Sequence, residues 1–170
     1  MRVLGIDPGL QVTGYALVLA LGVGVSVVEA GVVRTDERRP LAERLRRVYN
    51  ALRDIVRELT PDAIAVEELY SHYGHPVTAI LMGHARGMIF LVAAEADVPV
   101  VSYGATRVKK ALTGEGRASK AQVQRMVQST LRLTELPQPP DVADALAVAL
   151  CHANVIARGA WQGHGRTKQI

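Results

Sequence analysis

Apolar residues fall in short, valine-rich runs through the first third of the chain and recur every three to four positions through most of the remainder. The runs predict strands at 2–7, 12–20 and 23–33, the last two joined by a turn near Leu21-Gly22. Helical spacing predicts a helix at 40–58, followed by an apolar strand at 63–69. Further on, helices at 77–95, 105–112, 119–131 and 141–157 accompany one more strand at 98–103. Three strands joined by tight turns, then strands separated by helices, predict an α/β fold. Its sheet is mixed and five-stranded, antiparallel in its first three strands and parallel thereafter, with flanking helices. A length of 170 residues accommodates one domain, placed at 1–157, and the Gly-containing segment 158–170 reads as a flexible basic C-terminal tail.

Two apolar stretches are long enough to cross a bilayer by length alone. The 21 uncharged residues between Asp7 and Glu29 are broken by Pro8 and by glycines 9, 14, 22 and 24, which fits two strands around a turn. The stretch from Pro76 to Ala94 carries His84 and Arg86 at its middle, where a bilayer makes a charge costly. Neither is expected to span a membrane. A single cysteine, Cys151, excludes an intramolecular disulfide, and no charged segment precedes a cleavable apolar one, so a cytoplasmic setting is expected.

Net charge is only +4, but it is unevenly distributed. Residues 105–132 hold seven Lys or Arg against the single acid Glu115, whereas 59–104 and 133–157 are net acidic. The helix at 40–58 and its approach are also basic, and ion pairing on a solvated face accounts for that helix at this level. Pairing within 105–132 cannot absorb its charge. A carboxylate site served by a basic surface, facing an anionic partner, is the arrangement this pattern suits.

The carboxylates themselves sit at element ends. Asp7 closes the first strand and is followed by Pro8-Gly9, a sequence equally at home in a simple turn. Glu67 and Glu68 end the strand that starts at Ala63. Consecutive strand residues point to opposite faces, so only one of the two can address a given site. Asp141 and Asp144 follow Pro139-Pro140 at a helix start, on one helical face. Acids in a first turn favour the helix dipole without further purpose, but Asp144 lies on a stripe with Ala147, Val148 and Cys151 that faces the interior. Oxygen ligands without Cys or His favour Mg²⁺ or Mn²⁺, and two such ions would serve phosphodiester hydrolysis.

Several segments together resemble one family. They are Gly5-Ile6-Asp7-Pro8-Gly9 with Val12-Thr13-Gly14-Tyr15, Ala65-Val66-Glu67, Gly83-His84-Ala85-Arg86-Gly87, Ser119 to Gln124, and Asp141 to Ala147. In this order they resemble the RuvC family of crossover junction endodeoxyribonucleases, from about residue 2 to residue 157. The resemblance implies a ribonuclease H-like fold and a homodimer that resolves four-way (Holliday) junctions by paired symmetric nicks in recombination and repair. It implies a catalytic, metal-binding quartet of Asp7, Glu67, Asp141 and Asp144, choosing Glu67 over Glu68, with two Mg²⁺ or Mn²⁺ ions per site. It also implies DNA contacts by Tyr70, which would stack on a base and which only the resemblance favours over Tyr73 in the same loop, and by Lys109 and Lys120 near the scissile phosphate, with Arg107, Lys110 and Arg117 nearby. The apolar helix carrying Gly83 and Gly87 would form the dimer interface, and a branch-migration motor would be a partner. His84 and His152 are expected to be packed helix residues, while His72, His75 and the apolar hairpin tip at 19–25 receive no role.

Three other readings compete. An ATP-binding fold of the sugar-kinase and actin type also begins with Asp-x-Gly, but needs two lobes and a second Gly-rich phosphate loop that 170 residues do not supply. A junction binder without catalysis would have no use for a complete quartet. Another ribonuclease H-like nuclease would share the carboxylate cluster and differ in substrate.

Overall fold

The hydrophobic runs of β1 (Arg2–Asp7), β2 (Val12–Leu21) and β3 (Gly24–Arg34) form an antiparallel meander. After helix α1 (Leu41–Leu59) the chain re-enters the sheet as β4 (Ala63–Glu67), parallel to β1; after α2 (Pro76–Glu95) it adds β5 (Val100–Tyr103), parallel to β4. Helices α3 (Ala105–Thr113), α4 (Lys120–Leu131) and α5 (Pro140–Ala157) complete the fold. The strand order is β3-β2-β1-β4-β5, the mixed five-stranded sheet expected. A computed structural model of the chain describes residues 1–22, 24–69 and 76–159. Tyr70, His72, Tyr73 and His75, the tip residue Val23, and the tail from Ala160 onward lie outside the described residues.

Alternation along the central strands divides the core in two. Leu4, Ile6, Leu17, Ile64 and Val66 face α1 and α2, meeting Val48, Leu52, Val56 and Ile89. Val3, Ala16, Val18, Ala65 and Tyr103 face the other way, onto α5 and its neighbours. Helix α5 is buried along most of its length, which fits its apolar composition on every side. Both α2 and α5 are long and apolar enough to cross a membrane, yet each is an integral layer of this fold, α5 in the core and α2 against α1.

Two strand boundaries and one histidine differ from expectation. β4 stops at Glu67, two residues early, because its neighbour β5 ends at Tyr103 and Gly104 is already the N-cap of α3; the Glu68 amide makes the last bond, to the Tyr103 carbonyl at 2.9 Å. β5 starts at Val100, two residues late: the Val98 amide bonds back to Ala93 at the end of α2, and Pro99 has no N–H to offer. His84 is exposed, because α2 rests on the core through Ala85, Ile89, Val92 and Ala93, which leaves its other face uncovered. His152 is packed as expected, its Nδ1 2.6 Å from the Tyr103 hydroxyl, and burial pulls its pKa down to about 4, so the ring is neutral at pH 7.

Candidate active site

Asp7 and Glu67 end adjacent parallel strands, one residue past the Ile6–Val66 pair. Both continue the face that carries Gly5 and Ala65 toward α5, so the two carboxylates are cross-strand neighbours. Glu68 is exposed, and of the two consecutive glutamates only Glu67 lines the cavity with Asp7. Arg86 of α2 fixes this strand end from behind: its guanidinium donates to the Glu67 carbonyl at 2.5 Å and to Ser102 Oγ at 2.7 Å, and stacks on Phe90.

Two glycines let α5 deliver its acids to the same place. A Cβ on Gly14 would collide with the backbone carbonyl of Asp141, and one on Gly5 would collide with the Ala145 carbonyl and stand 2.8 Å from Ala149 Cβ. Bare backbone at these two strand positions allows α5 to lie directly on β1 and β2, with Asp141 and Asp144 in its first turns above Asp7. Sequence reasoning gave these glycines no part in the site. The available signal was a glycine within a strand, which marks a close approach of another backbone.

Two lysines reach the cluster from other helices. Ser119 caps α4 with its hydroxyl accepting from the Gln122 amide, while the Gln122 side chain accepts from the Ser119 amide at 2.7 Å. This capping box fixes Lys120 at the helix start, where its ammonium lies 2.8 Å from Asp144 Oδ2. Lys109 projects from α3 into the same open cavity of about 360 Å³, lined also by Asp7, Glu67 and Asp144 and floored by Val108, Val123 and Ala147.

Charge in this cavity is unbalanced. The Asp7 carboxyl is pushed up to about 7, first by burial and then by Glu67, Asp144 and Asp141, with Lys120 opposing. Glu67 is raised by burial and by Asp144, against the pull of Lys120 and Lys109. The hydrogen bond to Asp144 in turn raises the pKa of Lys120. Among the described residues no three ligating side chains are already gathered as a metal shell; Asp144 is engaged with Lys120 instead. The donors are nonetheless all carboxylate oxygens that repel one another, a set that suits a hard divalent cation.

The remaining expected site residues lie apart. Arg107 and Lys110 occupy the other side of α3, where with Arg158 they rim a separate cleft of about 370 Å³; Arg107 stacks over the Tyr103 ring at 4.9 Å. Arg117 is exposed in the loop before α4. Gly83 and Gly87 lie on the uncovered face of α2, where a Cβ on Gly87 would meet nothing within 4 Å and one on Gly83 only Leu69 Cδ1, at 4.0 Å.

A mixed sheet of this order, with acids at the ends of its two central strands and at the start of the helix that crosses them, defines a ribonuclease H-like nuclease. Residues 3–152 match the family model described as crossover junction endodeoxyribonuclease RuvC. A relative of that name from Rhodopirellula baltica is 50% identical over 149 residues, covering 88% of this chain and 84% of its own. The Thermus thermophilus RuvC structure superposes with a TM-score of 0.88 at 38% identity, covering 94% of this chain and 98% of that one. T. thermophilus RuvC in complex with Holliday junction substrate superposes with a TM-score of 0.86 at 36% identity, with the same coverage. The chain belongs to the RuvC family of crossover junction endodeoxyribonucleases. It is a divalent-metal-dependent, DNA-hydrolysing enzyme that resolves four-way junctions.

Proposed function

We propose that Asp7, Glu67, Asp141 and Asp144 are the catalytic residues of this nuclease and hold two ions, Mg²⁺ or Mn²⁺, between them. The observation that carries this reading is the meeting of Asp7 and Glu67, from adjacent strand ends, with Asp144 of α5 around one cavity that Lys109 and Lys120 also line; the raised pKa of Asp7, to which Asp141 also contributes, fits such a gathering of like charges. When bound, such ions lower the pKa of water and offset charge on the phosphate oxygens. The chain's own part is positional. Asp7 and Glu67 on rigid strand ends, and Asp141 and Asp144 on a core helix, fix the donor oxygens before substrate arrives. Lys120 and Lys109 present positive charge to the phosphate at the mouth of the cavity, with Lys120 exchanging its bond to Asp144 for one to DNA. Hydrolysis in this arrangement leaves 5′-phosphate and 3′-hydroxyl ends. Tyr70, three residues past Glu67, is the aromatic assigned to stack on a base near the junction centre. Arg107, Lys110 and Arg117 are assigned to more distant backbone contacts.

The enzyme acts as a homodimer in this proposal, joined through α2. Val77, Ile80, His84, Gly87 and Leu91 form one uncovered stripe at alternating three- and four-residue spacing; Val77, Ile80 and Leu91 are 68%, 60% and 46% exposed. That is the seam of a helix pair, and a two-fold dimer presents two equivalent sites to a two-fold junction. A branch-migration motor is the expected partner in the cytoplasm. Two experiments test the proposal. Asp7→Asn should bind a synthetic four-way junction yet fail to nick it in Mg²⁺ or Mn²⁺, and nicking at the wild-type rate would refute the quartet. Ile80→Asp with Leu91→Asp should halve the mass measured by light scattering; an unchanged mass would refute the α2 interface.

A further inference from the structure

A second charged opening lies outside the carboxylate cavity, where β3 passes into α1. It is a groove of about 750 Å³ bordered by six arginines, Arg34, Arg38, Arg39, Arg44, Arg46 and Arg47. Only two acids, Asp36 and Glu43, border it as well. Asp36 binds Arg38 at 3.0 Å and Glu43 binds Arg39 at 3.7 Å, while Arg44 donates to Thr35 Oγ1 at 3.1 Å. Among the described residues Arg34, Arg46 and Arg47 have no ion pair and no side-chain hydrogen bond, and all three are exposed. On α1 itself the expected ion pairing is met by Arg53 with Asp54 and by Glu43 with Arg39, and not by Arg46 and Arg47.

Nothing in the packing of α1 requires this charge. The helix is held by Val48, Leu52, Val56 and Leu59 on its opposite face, and guanidinium groups gathered around one opening repel each other unless an anion joins them. Arginine forks match phosphate oxygens in bidentate fashion, and a row of them suits a polyphosphate backbone.

The position of the groove selects the polyanion. Arg34 is paired in register with Val12, and Gly14 with Asp7, so β3 ends at the same end of the sheet as the catalytic strand, two strand spacings or roughly 10 Å to the side. The groove's floor is tied to the loop that follows Asp7. Thr35 donates its hydroxyl to the Leu10 carbonyl at 2.6 Å and its amide to the Gln11 carbonyl at 3.0 Å, and the same hydroxyl accepts from Arg44. The groove and the carboxylate cavity therefore lie at the same end of the sheet, toward the sides covered by α1 and α5, so that a junction arm leaving the cavity around that end would meet the groove.

We propose that the β3–α1 arginine groove is a second binding site for the junction, holding the phosphate backbone of one arm several nucleotides from the cut. The inference rests on the nuclease reading and adds a surface to it. The test is the salt dependence of binding to a fluorescently labelled synthetic four-way junction in EDTA, where no cutting occurs. For Arg46→Gln with Arg47→Gln the slope of log affinity against log salt should fall by about 2, because each phosphate contact contributes about 0.9. At ~0.1 M salt that loss weakens binding by roughly 60-fold relative to the 1 M extrapolation. Arg57→Gln, at the far end of α1, should leave slope and affinity unchanged. An unchanged slope in the double variant, with wild type binding normally, would overturn the groove and leave the nuclease reading intact. Wild-type protein that binds no junction would overturn both.

Discussion

Replacing Asp7 by Asn removes the charge at the centre of the cluster while keeping the side chain's shape, and its effect on stability follows from the raised pKa. In the folded, metal-free protein Asp7 holds its proton up to about pH 7, whereas in the unfolded chain it loses the proton near its ordinary value of 3.8. Between these values the folded state binds more protons than the unfolded one, so stability falls as pH rises. The contribution is fully present below pH 3.8 and is lost by the time pH has risen through about 7. At about 1.4 kcal/mol for each pH unit, the whole loss amounts to about 4 kcal/mol. Asn carries no titrating proton and escapes it. In EDTA, urea unfolding at pH 4 to pH 8 should therefore find Asp7→Asn and wild type nearly equal at the acid end and the variant more stable by up to about 4 kcal/mol at the alkaline end. Adding Mg²⁺ at pH 8 should stabilise wild type and not the variant. A gap that does not change with pH, or a wild type that is the more stable protein at pH 8 in EDTA, would refute the picture of Asp7 as a buried acid among acids.

Lys120→Gln should slow junction cutting by about 100-fold by removing the charge that faces the phosphate; because its pair with Asp144 is partly exposed, urea stability should change by less than ~1 kcal/mol. A matching loss in both measurements would mean a structural lysine. Gly5→Ala should destabilise the fold by ~1–3 kcal/mol through overpacking and reduce cutting further than stability explains, since α5 carries Asp141 and Asp144. Unchanged melting and cutting would contradict the close approach of α5 to β1.

Local pattern was sufficient for the elements, because valine-rich runs and helical spacing are properties of neighbouring residues. It was also sufficient to place Asp7, Glu67, Asp141 and Asp144 at element ends. Their convergence depends on non-local facts: the parallel pairing of β1 with β4, and the crossing of α5 permitted by Gly5 and Gly14. The grip of Arg86 on the Glu67 carbonyl has the same character, spanning 19 residues. The end of β4 was set by its neighbour β5, and the exposure of His84 by which face of α2 met the core. The division of the basic residues was closer to hand. On a helix Lys109 points well away from Arg107 and Lys110, so the spacing itself separates the lysine at the carboxylates from the pair on the opposite cleft.

The most direct measurement of the central claim is single-turnover cleavage of a synthetic four-way junction beside a linear duplex of the same sequence, with the nicked products then treated with DNA ligase. Wild type with Mg²⁺ or Mn²⁺ should place two symmetric, sealable nicks in the junction and leave the linear duplex uncut, with no cutting in EDTA and none by Asp7→Asn. Cleavage that persists in EDTA, that is retained in Asp7→Asn, or that falls equally on the linear duplex would contradict the account.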